Sequence, residues 1–164
     1  MPDAPSWPAV LLAWNLDPLP LAAVVAGAIG YGWLRRRVDG RHPRTRVPAR
    51  KRWAWALGLG TVGLALLSPV NAYASSLLAT HMLQHVLLQF VAAPLLVLAA
   101  PVTLVLRAAG PATRSWLVGL LHSRVLRIVT FPLLTWVLFA AVNWGWHFSS
   151  LYDQALEEEW LHVV

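Results

Sequence analysis

Long apolar stretches alternate with short charged stretches along this 164-residue chain. Each of the first four has at least 18 residues, enough for a helix of about 27 Å, close to the roughly 30 Å hydrocarbon core of a membrane. The pattern predicts membrane-spanning helices at about residues 16–34, 53–70, 76–98 and 128–146. A fifth apolar stretch opens at Trp160, so we expect a piece of a longer protein. The predicted fold class is all-α: one polytopic transmembrane helical bundle domain over residues 1–164.

The third apolar region is too long for one ordinary span, because residues 72–106 carry almost no charge. Pro94 and Pro101 lie inside it, and proline removes a backbone donor and clashes with the preceding turn of a helix. We therefore expect the helix to bend or break near these prolines, leaving a short segment before Arg107. In the second stretch, Gly58 and Gly60 are expected to serve helix packing.

The composition supports a membrane protein. Only 12% of the residues are charged and 58% are apolar, whereas a soluble domain has about 25% charged residues. The chain has no cysteine, which excludes disulfides, thiolate zinc sites and cysteine-ligated iron–sulfur clusters. A metal would have to be bound by histidine, methionine, carboxylate or backbone groups.

The charged residues are segregated by sign. Nine of the thirteen Lys and Arg residues lie in residues 35–52 and the other four in residues 107–127, while six of the seven acids lie elsewhere. By the positive-inside rule, both basic ranges are predicted to be cytoplasmic loops. The tail at 1–17, with the N-terminus, and the acidic loop at 148–160 are predicted to be external. Because the basic ranges alternate with spans, nucleic-acid binding is not expected. A cleaved signal peptide is not expected either, because no basic region precedes the first apolar stretch.

Histidines supply the candidate chemistry. His81 and His85 are four residues apart at the start of the third span, which places them on one helix face, and imidazole is both costly in lipid and a common metal ligand. The predicted orientation brings His147 and His162 to the same outer side. These four residues are the predicted metal site, and copper is the expected metal. Met82 offers a soft ligand type but faces another way.

Other interpretations of these residues stay open. The pair could form hydrogen bonds between helices or to headgroups, or histidines on two helices could ligate a b-type haem. A zinc protease is excluded, because its motif needs Glu where this chain has Met82. Gln84 and Gln89 are expected to form helix–helix hydrogen bonds rather than to support a metal site.

Two sequence runs carry a family resemblance. Residues 81–88 (HMLQHVLL) and 93–101 (APLLVLAAP) resemble the core of CtaG, the multi-span cytochrome c oxidase assembly factor of Bacillus type, with weaker support from residues 67–69 (LSP), 121–124 (LHSR) and 146–148 (WHF). The resemblance runs from about Tyr31 to the end of the chain. It implies a bundle of six or seven spans in the bacterial plasma membrane, continuing past Val164 with a further histidine.

The resemblance also implies a function. The family's role is to assemble a haem–copper oxidase, with cytochrome c oxidase subunits as partners, by helping copper reach the outer side of the membrane; it is not an enzyme. The positions that match the family's histidines are His81, His85, His147 and His162. The alternatives are a copper transport or binding protein unconnected with the oxidase, a b-haem redox protein, and a membrane scaffold without metal.

Overall fold

The computed structural model describes residues 14, 16–74 and 77–148, with side chains up to residue 145. Within those residues all regular structure is helical, which confirms the all-α prediction for that part of the chain. The helices are α1 (Pro18–Arg41), α2 (Ala49–Leu67), α3 (Pro69–Ala74), α4 (Leu78–Val86), α5 (Ala93–Leu98), α6 (Pro101–Ala108), α7 (Pro111–Leu121), α8 (Arg124–Val129) and α9 (Pro132–Phe148), with a π-helical segment at Leu87–Ala92 between α4 and α5.

The described part of the chain divides into two compact units, one that ends at residue 109 and one that begins at residue 110. In the first unit, α1 packs against α2 and α6, and α2 packs against the π-helical segment and α5. The second unit contains α7, α8 and α9. A single bundle over the whole chain therefore stays a prediction.

Local sequence sets the ends of the first two helices. The carboxylate of Asp17 accepts a hydrogen bond from the Leu19 N–H (3.1 Å) at the start of α1, satisfying one of the donors that a helix N-terminus leaves unpaired. The basic segment between the helices is shorter than the predicted loop, because helix extends to Arg41 and resumes at Ala49. Its turn is fixed by Asp39, whose carboxylate accepts from the Val47 N–H at 2.8 Å.

The buried core of the first unit lies at this basic end. Its fully or nearly buried members are Tyr31, Val38, Val47, Ala99, Leu104 and Ala108. The Tyr31 ring stacks on Trp55 with the ring centroids 4.5 Å apart, and its hydroxyl lies 3.3 Å from both the Lys51 and the Ala99 carbonyl oxygens. The Arg41 guanidinium donates to the Ala108 carbonyl (2.7 Å) at the end of α6, where a cation is favoured by the helix dipole.

The third apolar region is interrupted near its prolines, as predicted. Pro94 stands just after the π-helical segment, where the missing N–H is accommodated by a wider turn. The helix then breaks before Pro101, and Ala100 adopts a left-handed conformation with φ 53° and ψ 55°. A residue before proline is disfavoured in the right-handed helical region, so the break falls at Ala100.

One stretch among the described residues is long and apolar enough to cross a membrane. It runs from Leu78 to Ala108, 31 residues with a mean hydropathy of 2.1 in its most apolar window. A shorter apolar helix covers Pro132–Gly145. Because α1 ends and α2 begins in arginines, their mean hydropathy is lower, and the count of four spans stays a prediction.

The range 107–127, expected as a connecting loop, is largely helical. Pro111 stands in the first turn of α7, where its missing N–H costs no hydrogen bond. Ser123 caps α8 by accepting from the Leu126 N–H at 3.2 Å. The basic residues of this range predict the side of the membrane on which it lies, but they do not predict whether it is helical.

The packing role expected for Gly58 and Gly60 is confirmed for Gly58 and is wrong for Gly60, where an added Cβ atom would meet no atom within 4 Å. A Cβ atom at Gly58 would lie 2.9 Å from the Leu96 side chain and 3.2 Å from the Leu96 backbone nitrogen. The absence of a side chain at Gly58 therefore lets α5 approach α2 closely.

Candidate metal centre at the histidine pair

The helix that carries the histidines begins at a short, hydrogen-bonded corner. The Thr80 hydroxyl lies 2.7 Å from the carbonyl oxygens of both Tyr73 and Leu77. These contacts tie the first turn of α4 to the end of α3, and the His81 N–H continues the turn by donating to Leu77 at 3.1 Å. The pair is thus built on a regular helix whose start is held in place.

His81 and His85 lie on one face of α4, as their spacing predicts. Their Nε2 atoms are 2.9 Å apart, and the rings meet edge to face with centroids 4.6 Å apart at 78°. Both side chains are half-buried. At this distance one neutral imidazole donates a hydrogen bond and the other accepts it.

Gln89 extends this ladder by one further turn. Its amide nitrogen lies 3.4 Å from Nδ1 of His85. When Gln89 donates there, the His85 proton is on Nε2, which then donates to His81. Gln89 was expected to bond between helices, but its contact within the described residues is to the histidine pair, and this contact orients a candidate ligand.

Gln84 holds α4 against its neighbours. Its amide nitrogen lies 3.0 Å from the Ala65 carbonyl oxygen and 3.0 Å from Oδ1 of Asn71. Ala65 is in the last turn of α2, where carbonyls lack a partner within the helix, so the bond satisfies an otherwise unpaired acceptor. The interhelical role expected for Gln84 is confirmed. The role of Asn71 was missed, although a polar residue at the end of an apolar stretch is a signal for such bonds.

The predicted four-histidine set is only partly within the described residues. His147 belongs to the last turn of α9, but its side chain is outside the description, and His162 lies outside the described residues altogether. Among the described residues no group of three or more potential His, Cys, Asp or Glu ligands gathers. Met82 is 40% exposed. The convergence of all four histidines stays a prediction.

The distance between the two imidazole nitrogens can be compared with the spacing of ligands around a small metal ion. Metal–imidazole bonds of about 2.0–2.1 Å place two nitrogens of a tetrahedral site about 3.3 Å apart and those of a square-planar site about 2.9 Å apart. The observed 2.9 Å between the Nε2 atoms is therefore compatible with one shared ion. Axial haem ligation is different, because axial ligands occupy opposite faces of the iron. His81 and His85, on one helix face, do not supply such a pair by themselves.

The histidine pair and the basic residues lie at opposite ends of α2. The pair's helix is joined by Gln84 to Ala65 near the C-terminal end of α2, while Tyr31 contacts Lys51 near its N-terminal end. These contacts are separated by about 20 Å along the helix, at roughly 1.5 Å per residue. The basic residues of the first unit therefore lie near the N-terminal end of α2, and the histidine pair lies near its C-terminal end.

Comparison with known proteins gives a family and several uncharacterized relatives. The family model described as "Cytochrome c oxidase caa3 assembly factor (Caa3_CtaG)" matches residues 29–164. Uncharacterized proteins of Mycobacterium bovis and Mycobacterium tuberculosis are each 35% identical over 173 residues, and one of Mycobacterium leprae is 32% identical over 171 residues. Each match covers 99% of this chain and 25% of the relative, so the chain spans about a quarter of their length. No solved structure matches the chain.

Proposed function

Because this chain belongs to the cytochrome c oxidase caa3 assembly factor family, we propose that it handles copper for oxidase assembly through His81 and His85. In this proposal the pair holds a copper ion as cargo, for transfer to a cytochrome c oxidase subunit. His147 and His162 are the proposed further ligands. The role is binding and transfer rather than catalysis, in keeping with a family of assembly factors.

The observation that carries the proposal is the 2.9 Å approach of the two Nε2 atoms. Imidazole suits copper as well as zinc, iron and nickel, so the family's link to a haem–copper oxidase is what favours copper, and the chain offers no thiolate as a competing ligand. Gln89, next to Nδ1 of His85, is the kind of outer group that fixes ring orientation in metal sites. Two ligands leave coordination positions of the copper ion open, and a receiving protein could bind the ion there during transfer.

The proposed setting is the plasma membrane, with four spans and the N-terminus outside. The helical part from Leu78 to Leu98 measures about 31 Å, which matches the hydrocarbon core, and His81 and His85 fall about 5 and 11 Å from its start. The basic residues at the opposite end of α2 favour that end as the cytoplasmic one. The pair is then in the outer half of the membrane. Large exposed side chains such as Phe90 (70%) and Val97 (74%) suit a lipid environment.

Copper binding by the purified chain tests the first part of the proposal. We expect His81→Ala and His85→Ala each to weaken copper binding by more than about 100-fold, since even outer-shell changes cost 10- to 100-fold. His122→Ala is the matched control, because His122 lies in the other unit with its Nδ1 2.8 Å from the Val118 carbonyl oxygen. Unchanged copper affinity in the double variant His81→Ala/His85→Ala would remove the site from the proposal.

The oxidase itself tests the second part. In cells that rely on this gene, the double histidine variant should reach the membrane at normal levels while the oxidase loses its copper. A variant that loses copper binding while the oxidase keeps its full copper content would favour the alternative of a copper-binding protein unconnected with the oxidase. A Soret band in the optical spectrum of the purified chain would instead support the haem alternative.

A further inference from the structure

A groove opens between α1 and α2 on the side of the first unit where the arginines lie. Its volume is about 700 Å³, within the range of small-ligand sites. Arg35 and Arg52 line one end of the groove, and apolar, aromatic and glycine residues line the remainder. The groove is separate from the histidine pair, because neither His81 nor His85 lines it.

The polar atoms of the aromatic walls are already engaged. The Tyr31 hydroxyl is directed to the Ala99 and Lys51 carbonyl oxygens, and the Trp55 Nε1–H donates to the Gly27 carbonyl at 3.2 Å. The two rings are stacked on each other. Away from the arginines, the groove therefore offers aromatic and aliphatic surface to an apolar ligand.

Three glycines widen the groove without being required by protein packing. A Cβ atom at Gly32, Gly60 or Gly63 would meet no atom within 4 Å, unlike one at Gly58, which would press on Leu96. All three line the groove. A side chain at these positions would extend into the space that a ligand would use.

The two guanidinium groups are available for an anion. Among the described residues, neither Arg35 nor Arg52 forms an ion pair with a carboxylate, and the nearby Asp39 carboxylate accepts from the Val47 N–H. A guanidinium matches the geometry of a phosphate group. From Arg52 to Gly63 the groove follows α2 for about 16 Å, or roughly half of the hydrocarbon core, the depth of one leaflet.

We propose that this groove binds one anionic phospholipid, with its phosphate at Arg35 and Arg52 and one acyl chain along Gly60 and Gly63. Basic pockets between membrane helices on the cytoplasmic side have this chemistry. The two charges select the headgroup, and the glycine-lined channel receives the chain. The lipid site is independent of copper, so either proposal can fail without the other.

Native mass spectrometry of the full chain, purified in mild detergent and then mixed with defined lipids, tests the proposal. We expect phosphatidylglycerol to be retained in preference to phosphatidylcholine, and Arg35→Gln and Arg52→Gln each to weaken its binding roughly fivefold. Gly60→Leu should block the acyl chain, and it also tests the site without removing charge. Arg114→Gln and Gly30→Leu are matched controls, since neither residue lines the groove, and circular dichroism checks that every variant keeps its helicity.

Several results would overturn the proposal. Equal retention of the two lipids would mean that the arginines do not select an anionic headgroup. Displacement of phosphatidylglycerol by inorganic phosphate alone would indicate a site for free anions. A dimer that Gly60→Leu dissociates would show that a second copy occupies the groove. Retention unchanged by Gly60→Leu would place the bound lipid elsewhere.

Discussion

Replacing Gln84 by leucine should loosen the helix that carries the histidine pair. The substitution keeps the side chain's approximate size and removes two hydrogen bonds of 3.0 Å, to the Ala65 carbonyl and to Asn71. A hydrogen bond between membrane helices contributes about 0.6 kcal/mol on average and up to about 1.7 kcal/mol. The two bonds together should therefore contribute about 1–3 kcal/mol to the free energy of unfolding.

A double-mutant cycle isolates one of these bonds. Gln84→Leu, Asn71→Ala and the double variant are unfolded by a denaturing detergent in mixed micelles, with helicity followed by circular dichroism. We expect a coupling free energy of about 0.6–1.7 kcal/mol between the two residues. Gln84→Leu alone should cost more than Asn71→Ala, because it also leaves the Ala65 carbonyl of the α2 terminus without its partner.

The copper-binding stoichiometry separates support of the helix from ligation. Because Gln84 supports α4 through Ala65 and Asn71, Gln84→Leu should keep the copper stoichiometry of the wild-type chain while lowering its stability. A coupling free energy near zero, together with an unchanged midpoint of unfolding for Gln84→Leu, would refute the role of Gln84 as the tether of α4.

Four further substitutions test other features of the first unit. Gly58→Ala should destabilise the chain by about 1–3 kcal/mol, because its Cβ would lie 2.9 Å from Leu96, whereas Gly60→Ala should stabilise it by up to about 1 kcal/mol. Detergent unfolding of both variants checks this, and equal changes in the free energy of unfolding would contradict the close contact between Gly58 and Leu96. Ala100→Gly should be neutral or stabilising by about 1 kcal/mol in the same assay, since glycine relieves the left-handed conformation, and a marked loss of stability would contradict that assignment. Gln89→Leu should weaken copper binding about 10-fold with little change in stability. Copper titration measures this, and an unchanged affinity would mean that Gln89 does not orient His85 for metal binding.

Sequence periodicity predicted the local geometry of the site well. The four-residue spacing of His81 and His85 requires only a helix to bring them together, and the structure confirms the shared face. The prolines likewise predicted an interruption of the helix, and the restriction on residues before proline accounts for the break at Ala100. The position of the π-helical segment was not predictable, because the backbone donor missing at Pro94 can be accommodated at several places in the preceding turns.

The sequence predicted the kind of side chain that forms contacts between helices, but it did not predict the partners. Gln84 was expected to bond to another helix, but its partners depend on the rotation and depth of α4 against α2 and α3, which no local pattern contains. Charge segregation likewise predicted sides of a membrane for residues 107–127 and gave no sign of α7 and α8. The relation of His147 and His162 to the pair stays a prediction for the same reason.

The π-helical segment at Leu87–Ala92 divides the third apolar helix into two pieces with different angular phase. A π-bulge accommodates one extra residue, and one residue corresponds to about 100° of rotation in an α-helix. Upstream, the phase is set by Gln84 against α2 and α3; downstream, it is set by Leu96 against Gly58. Deleting one residue from 87–92 would restore a uniform α-helix and force one of these two anchors to give way. In this chain, a change of one residue in length therefore acts as a rotation of the histidine face rather than as a small shift along the helix axis.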